Sequence, residues 1–212
     1  MTQTAVMHMT NKLSAGVVVT MLPRISLLVA NPIPLMTLAA HKIAIIGAGS
    51  VGSTIAYSLL LRRIAGDIIL VDIDTRVRHA QALDLSDGAF LSDTTIREGD
   101  HKEAGQSDII IVSAGAKQRD GETRVDLIDR NYSILKSVIE GMKPIRQDAI
   151  LLLVANPVDV LTYFAQKLSG LPRKQVLGSG TFLDSMRLRV SLAEVVKVRT
   201  TKHILLYHLY LM

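Results

Sequence analysis

Cysteine and tryptophan are absent from the 212 residues, and aromatic side chains make up only 4% of them. Without cysteine there is no disulfide framework, no thiolate nucleophile and no sulfur-ligated metal centre, a composition that fits a reducing compartment. With so few rings, aliphatic side chains must fill the core; hydrophobic residues reach 49% and mean hydropathy is +0.32. No uninterrupted apolar run reaches the roughly 18 residues that a membrane-spanning helix needs. The first 40 residues contain no acid at all, only Lys12 and Arg24, and their apolar stretches are broken by Pro23, Pro32 and Pro34. Prolines in that position disfavour a signal peptide, so residues 1–40 are expected to be a poorly ordered extension. The net charge of +5 comes without any lysine/arginine block interleaved with aromatics. Scattered arginines suit small anions better than a nucleic acid.

From His41 onward the pattern is an alternation of strand and helix. Aliphatic runs at 42–46, 67–71, 107–113 and 149–154 lack the every-second-residue polarity of half-exposed strands, so they read as strands buried on both faces. Between them, 50–63 reads as a helix burying Ile55, Leu59 and Leu60, and a second helical stretch runs to about Leu85. Segment 124–142 sets Val125, Ile128, Leu135, Val138 and Met142 at helical spacing, and 158–168 repeats that spacing. Strands separated by helices predict an α/β fold, a Rossmann-type doubly wound parallel sheet with helices on both faces.

Between the first strand and the first helix stands Gly47-Ala48-Gly49-Ser50-Val51-Gly52. In a G-x-G-x-x-G turn Gly47 permits the tight bend and Gly49 lets backbone approach a pyrophosphate. Gly52 lets helix and strand pack closely, while the helix N-terminus faces the anion. Asp72 closes the second strand 20–25 residues on, the place for a carboxylate that binds ribose hydroxyls. An acid there repels a 2′-phosphate, so the sequence favours NAD over NADP.

Four later segments follow in order: Ser-Ala-Gly-Ala-Lys-Gln-Arg-Asp-Gly-Glu-Thr-Arg (113–124), Val-Ala-Asn-Pro-Val-Asp (154–159), Gly-Ser-Gly-Thr (178–181) and Leu-Asp-Ser-Met-Arg (183–187). With them the chain resembles the L-lactate dehydrogenase family, within the lactate/malate dehydrogenase superfamily, over about residues 41–196. That is roughly the first half of a family member. The resemblance implies reversible, NAD-dependent hydride transfer between L-lactate and pyruvate in a cytoplasmic, glycolytic homo-oligomer. It makes Arg124 the arginine that polarises the substrate carbonyl, Arg187 the one that grips the substrate carboxylate, and Asn156 a hydrogen-bond donor to the reacting oxygen. Asp184 becomes the carboxylate that orients a catalytic histidine. Gln118 takes the position that separates lactate from malate enzymes, where an arginine would instead pair with a second carboxylate. Cofactor contacts are implied for Val51, Gly115, Ala116, Lys117, Ser137, Val154 and Ser179.

The match fades near residue 198, and the family's histidine, held within Gly-Glu-His-Gly-Asp, does not occur; His203 and His208 lack its flanking glycines and acids. The expected organisation is therefore an extension over 1–40, an NAD-binding domain over 41–180, and over 181–212 the start of a substrate domain that is otherwise missing. This predicts a chain that binds NAD but is catalytically incomplete. A malate dehydrogenase-like enzyme and a purely NAD-binding fragment are the competing readings.

Overall fold

A computed structural model describes residues 41–197 apart from 118, 120 and 122. The expectations for the 1–40 extension, for Gln118, for the fading match beyond 198 and for His203 and His208 lie outside the described residues. Six strands form one parallel sheet: β1 (Lys42–Ile46), β2 (Asp67–Val71), β3 (Thr95–Glu98), β4 (Ile109–Val112), β5 (Ile150–Leu153) and β6 (Val176–Gly178). Their spatial order is β3-β2-β1-β4-β5-β6, the doubly wound arrangement in which the chain reverses direction between β1 and β4. The helices are α1 (Ser50–Leu61), α2 (Thr75–Asp87), α3 (His101–Ala104), α4 (Arg124–Met142), α5 (Val158–Leu168) and α6 (Phe182–Val195).

Alternation along each strand divides the core into two layers. Ala44, Ile46, Ile69, Val71, Ile110, Val112, Leu151 and Leu153 pack against α4 and α5. Ile43, Ile45, Ile68, Leu70 and Ile111 pack against Ala56 and Leu60 of α1 and Ala82 and Leu85 of α2. The continuous aliphatic runs are thus explained by burial on both faces.

Several sequence expectations need correction. The first helix ends at Leu61, not 63, and Arg63 takes a positive φ of 52°. The second helix extends to Asp87. β4 and β5 are shorter than the apolar runs that contain them, although the flanking Asp108, Ser113 and Val154 still donate their amides to neighbouring strands. Val125 is 66% exposed, in the first turn of α4 and away from the apolar stripe. Arg189 of α6 is half-buried, with its Nε inaccessible. β3, β6 and α3 were not anticipated.

Toward the N-terminal ends of β1 and β2 the sheet is braced by charge. Arg97 donates to Asp67 at 2.9 Å and to Glu103 at 2.6 Å, while Lys42 reaches Glu103 at 2.9 Å. Arg97 first and Lys42 second hold the Glu103 carboxyl far below its usual range, at about 2. Along α6 only Ala193 is buried, and Phe182, Leu183, Leu188, Val190 and Val195 are exposed. Among the described residues no helix is long and apolar enough to cross a membrane.

Candidate nucleotide-binding site

In an open parallel sheet, ligands bind beyond the carboxyl ends of the strands, where the strand order reverses. The loop after β1 lies there. Gly47 has φ +101°, and a Cβ on it would lie 2.6 Å from the Ala114 amide nitrogen. A Cβ on Gly52 would lie 1.8 Å from the Gly47 carbonyl oxygen, so α1 can approach the loop only with glycine at 52. Gly49 differs: nothing stands within 4 Å of its Cβ position, which faces open space. The Gly47 amide donates to the Val71 carbonyl at 2.7 Å, and the Ser113 hydroxyl donates to the Gly47 carbonyl at 3.0 Å. Neighbouring strand ends therefore fix the loop from both sides.

No side chain caps α1, whose N-cap is Gly49, and its first turn holds no acid. By contrast, Asp74 caps α2, Asp100 caps α3, and Thr123 caps α4 in a reciprocal box with Asp126. An uncapped helix start directed past a glycine turn is a donor set suited to a pyrophosphate. Asp72 sits beside it. Its Oδ2 accepts from the Ala48 amide at 2.7 Å and its Oδ1 from the Asp74 amide at 2.9 Å. Each oxygen keeps a further acceptor site for a ribose hydroxyl.

The structure also gathers most of the other candidates along this edge. Gly115 is exposed after β4, and the Ala116 amide donates to Asn131 Oδ1 at 2.7 Å. Val154 continues β5 through its amide bond to the Val112 carbonyl at 2.9 Å, and Asn156 follows, exposed. Ser179 continues β6, its amide donating to Leu153 at 2.9 Å. Lys117 is exposed, and its carbonyl accepts from Arg130 at 2.7 Å. Val51 is 54% exposed on the first turn of α1. Ser137 stands apart, exposed on α4 about 9 Å along the helix from Asn131 and with no hydrogen bond to the loops among the described residues. Arg124 is the first residue of α4, and its side chain lies outside the described set. Asp184 and Arg187 meet each other across one turn of α6 at 3.4 Å, both about 70% exposed. No described bond ties them to the nucleotide edge.

A family model for the lactate/malate dehydrogenase NAD binding domain matches residues 41–178. The chain belongs to that family. Among its lactate/malate dehydrogenase relatives, L-lactate dehydrogenase A of Rhizopus oryzae is 55% identical over 157 residues, 74% of this chain and 49% of that protein. An L-lactate dehydrogenase of Clostridium botulinum is 48% identical over 158 residues, again 74% of this chain and 50% of the relative. Solved structures agree: the minor L-lactate dehydrogenase of Enterococcus mundtii superposes with a TM-score of 0.72 at 33% identity, covering 76% of this chain and 52% of that one. The malate dehydrogenase of Picrophilus torridus does so with a TM-score of 0.72 at 36% identity and the same coverage. The chain spans about half the length of the curated relatives it matches.

Asn131, at this edge of the sheet, escaped the sequence reading. Asn131 of α4 is 2% exposed, and its amide joins two loops: Oδ1 accepts from Ala116, while Nδ2 donates to the Asn156 carbonyl at 2.7 Å. The clue was available. Asn131 falls in register with the buried stripe of Leu135, Val138 and Met142, and a polar residue in such a stripe needs partners.

Proposed function

We propose that this chain provides the NAD-binding half of an NAD-dependent L-lactate dehydrogenase, an enzyme that interconverts L-lactate and pyruvate in the cytoplasm as part of glycolytic carbohydrate metabolism, as a homo-oligomer. The observation that carries the cofactor assignment is the Asp72 carboxylate bonded at 2.7 Å to the amide of Ala48, inside the glycine turn. When bound, NAD supplies the carrier that takes and returns the hydride. The chain's own groups bind and orient. The amides at the start of α1 meet the pyrophosphate, and Asp72 receives the ribose hydroxyls and repels a 2′-phosphate. Arg124, at the first position of α4, neutralises charge building on the substrate oxygen. Asn156 donates to that oxygen from the end of β5. Arg187 grips the substrate carboxylate with a planar fork.

Among the described residues Asp184 and Arg187 pair with each other on an exposed turn, a contact that contributes little to stability. Each can turn to a better partner at small cost: Arg187 to a carboxylate, Asp184 to an imidazole whose proton transfer it would orient. The 212-residue polypeptide is expected to bind NADH. Gln118 favours lactate over malate, because a neutral amide tolerates the methyl of pyruvate. The likeness to a malate dehydrogenase structure supports a malate-type enzyme as the second reading. Fluorescence titration with NADH and NADPH tests the cofactor assignment. Equal affinities would remove Asp72 from its role.

A further inference from the structure

Asp72 is held by more than its carboxylate. Arg78, in the second turn of α2, donates from Nη1 to the Asp72 main-chain carbonyl at 3.3 Å and from Nε to Glu98 at 2.8 Å. Glu98 closes β3, the neighbour of β2, and is fixed there by the Gly99 amide bond to Leu70 at 3.0 Å. Its second oxygen meets His79 Nδ1 at 2.6 Å. The Arg78 and Glu98 side chains are only 24% and 32% exposed, so their bridge is better sheltered than a rim pair. A guanidinium thus stands against the backbone of the residue that is to face the ribose.

We infer that Arg78 and Glu98 set the cofactor choice at Asp72: Arg78 positions the turn through its carbonyl, and Glu98 cancels a positive charge that would otherwise welcome a 2′-phosphate. The inference rests on the reading of Asp72 as the ribose carboxylate. Its chemistry is direct. Arginine beside this strand end is the usual partner of a 2′-phosphate, and this chain has one in place. Glu98 occupies the guanidinium from the side, and Arg78 first, then His79, holds the Glu98 carboxyl below its ordinary range, so it stays charged. Arg76, two positions earlier, adds a cation 3.8 Å from Asp74 and 92% exposed. Rejection of NADPH therefore depends on Asp72 and on Glu98 facing Arg78, with Asp74 facing Arg76.

The test titrates the full chain with NADH and NADPH at low ionic strength, following nicotinamide fluorescence, for the wild type and for Glu98→Gln, Arg78→Met and Asp72→Asn. Glu98→Gln should tighten NADPH by about three- to tenfold and leave NADH nearly unchanged, an effect that fades in 0.5 M salt, where the Debye length falls to about 4 Å. Arg78→Met should weaken NADH about threefold or more without any gain for NADPH, because the turn loses its anchor but acquires no unpaired cation. Thermal unfolding run alongside separates this from plain loosening, which would weaken both cofactors in parallel. An unchanged NADH-to-NADPH ratio in Glu98→Gln overturns the inference. If Asp72→Asn also leaves the ratio unchanged, or the wild type binds neither cofactor, the ribose assignment itself falls, and the positioning role with it.

Discussion

Replacing Gly52 by alanine should damage this domain more than any other single methyl added to the glycine turn. The new Cβ would sit 1.8 Å from the Gly47 carbonyl oxygen, about 1.5 Å short of an ordinary carbon–oxygen contact. The loop cannot retreat easily, because Gly47 is tied through its amide to Val71 and through its carbonyl to Ser113. Helix α1 must move outward instead, lifting Ala56 and Leu60, both fully buried, from the sheet. Overpacking of this kind typically costs about 1–3 kcal/mol, and the displaced helix contacts bring the expected loss to about 2–4 kcal/mol. For a domain of this size that is a fall in Tm of roughly 5–15 °C. Gly49→Ala is the control. Its Cβ meets nothing within 4 Å and its φ of −71° suits alanine, so stability should change by less than about 0.5 kcal/mol. The methyl would stand at the mouth of the turn and weaken NADH. Urea unfolding followed by circular dichroism, with NADH titration in parallel, reads both. Equal stability losses in the two variants would refute the packing argument.

Glu103 titrates far below its usual range in the folded state, so its contribution is complete above about pH 4.5 and disappears as pH falls toward 2. Glu103→Gln should therefore cost about 1 kcal/mol at pH 7, discounted for partial exposure, and flatten the acid limb of a stability-versus-pH curve between pH 5 and 2; an unaltered limb would count against the bridge. Asn131→Leu should cost about 2–3 kcal/mol by stranding the Ala116 amide and the Asn156 carbonyl, and should weaken NADH as both loops loosen, whereas Asn131→Asp, which keeps the acceptor for Ala116, should retain more binding in the same titration. In a chimera carrying the C-terminal half of the Rhizopus oryzae relative, Gln118→Arg should move kcat/KM from pyruvate toward oxaloacetate, and an unchanged ratio would mean that residue 118 does not meet the substrate.

The sheet's interior was readable because burial on both faces leaves an aliphatic signature. β1 and β2 were bounded correctly from sequence, as were α4 and α5. β3 was invisible for the opposite reason: of Thr95, Ile96, Arg97 and Glu98 only Ile96 is fully buried, and the charged pair serves the ion network and the Arg78 bridge. β6 is a three-residue edge strand, too short for a periodic signal. At the site, Gly47, Gly52 and Asp72 were legible because each answers a local geometric demand of the turn. Asn131, Arg78 and Glu98 were not, since their partners lie 15 to 25 residues away for Asn131 and 20 residues away for the bridge. Sequence order cannot bring such residues together; the crossovers of the sheet do.

The bare start of α1 also decides how binding and folding exchange free energy. A glycine cap holds a helix within a few tenths of a kcal/mol of a serine cap, at about the same stability, because solvent serves the amides that a hydroxyl would serve. The difference lies in what has to leave. A capping carboxylate, such as Asp74 on α2, would have to be displaced before an anion could bind, whereas solvent departs without breaking a bond within the protein. Occupancy is then converted directly into resistance to unfolding, by about 2.7 kcal/mol at a hundredfold excess of ligand over Kd. Amide hydrogen exchange at Ser50, Val51 and Gly52 would register that conversion locally, since these are the protons that a bound anion shields from the solvent.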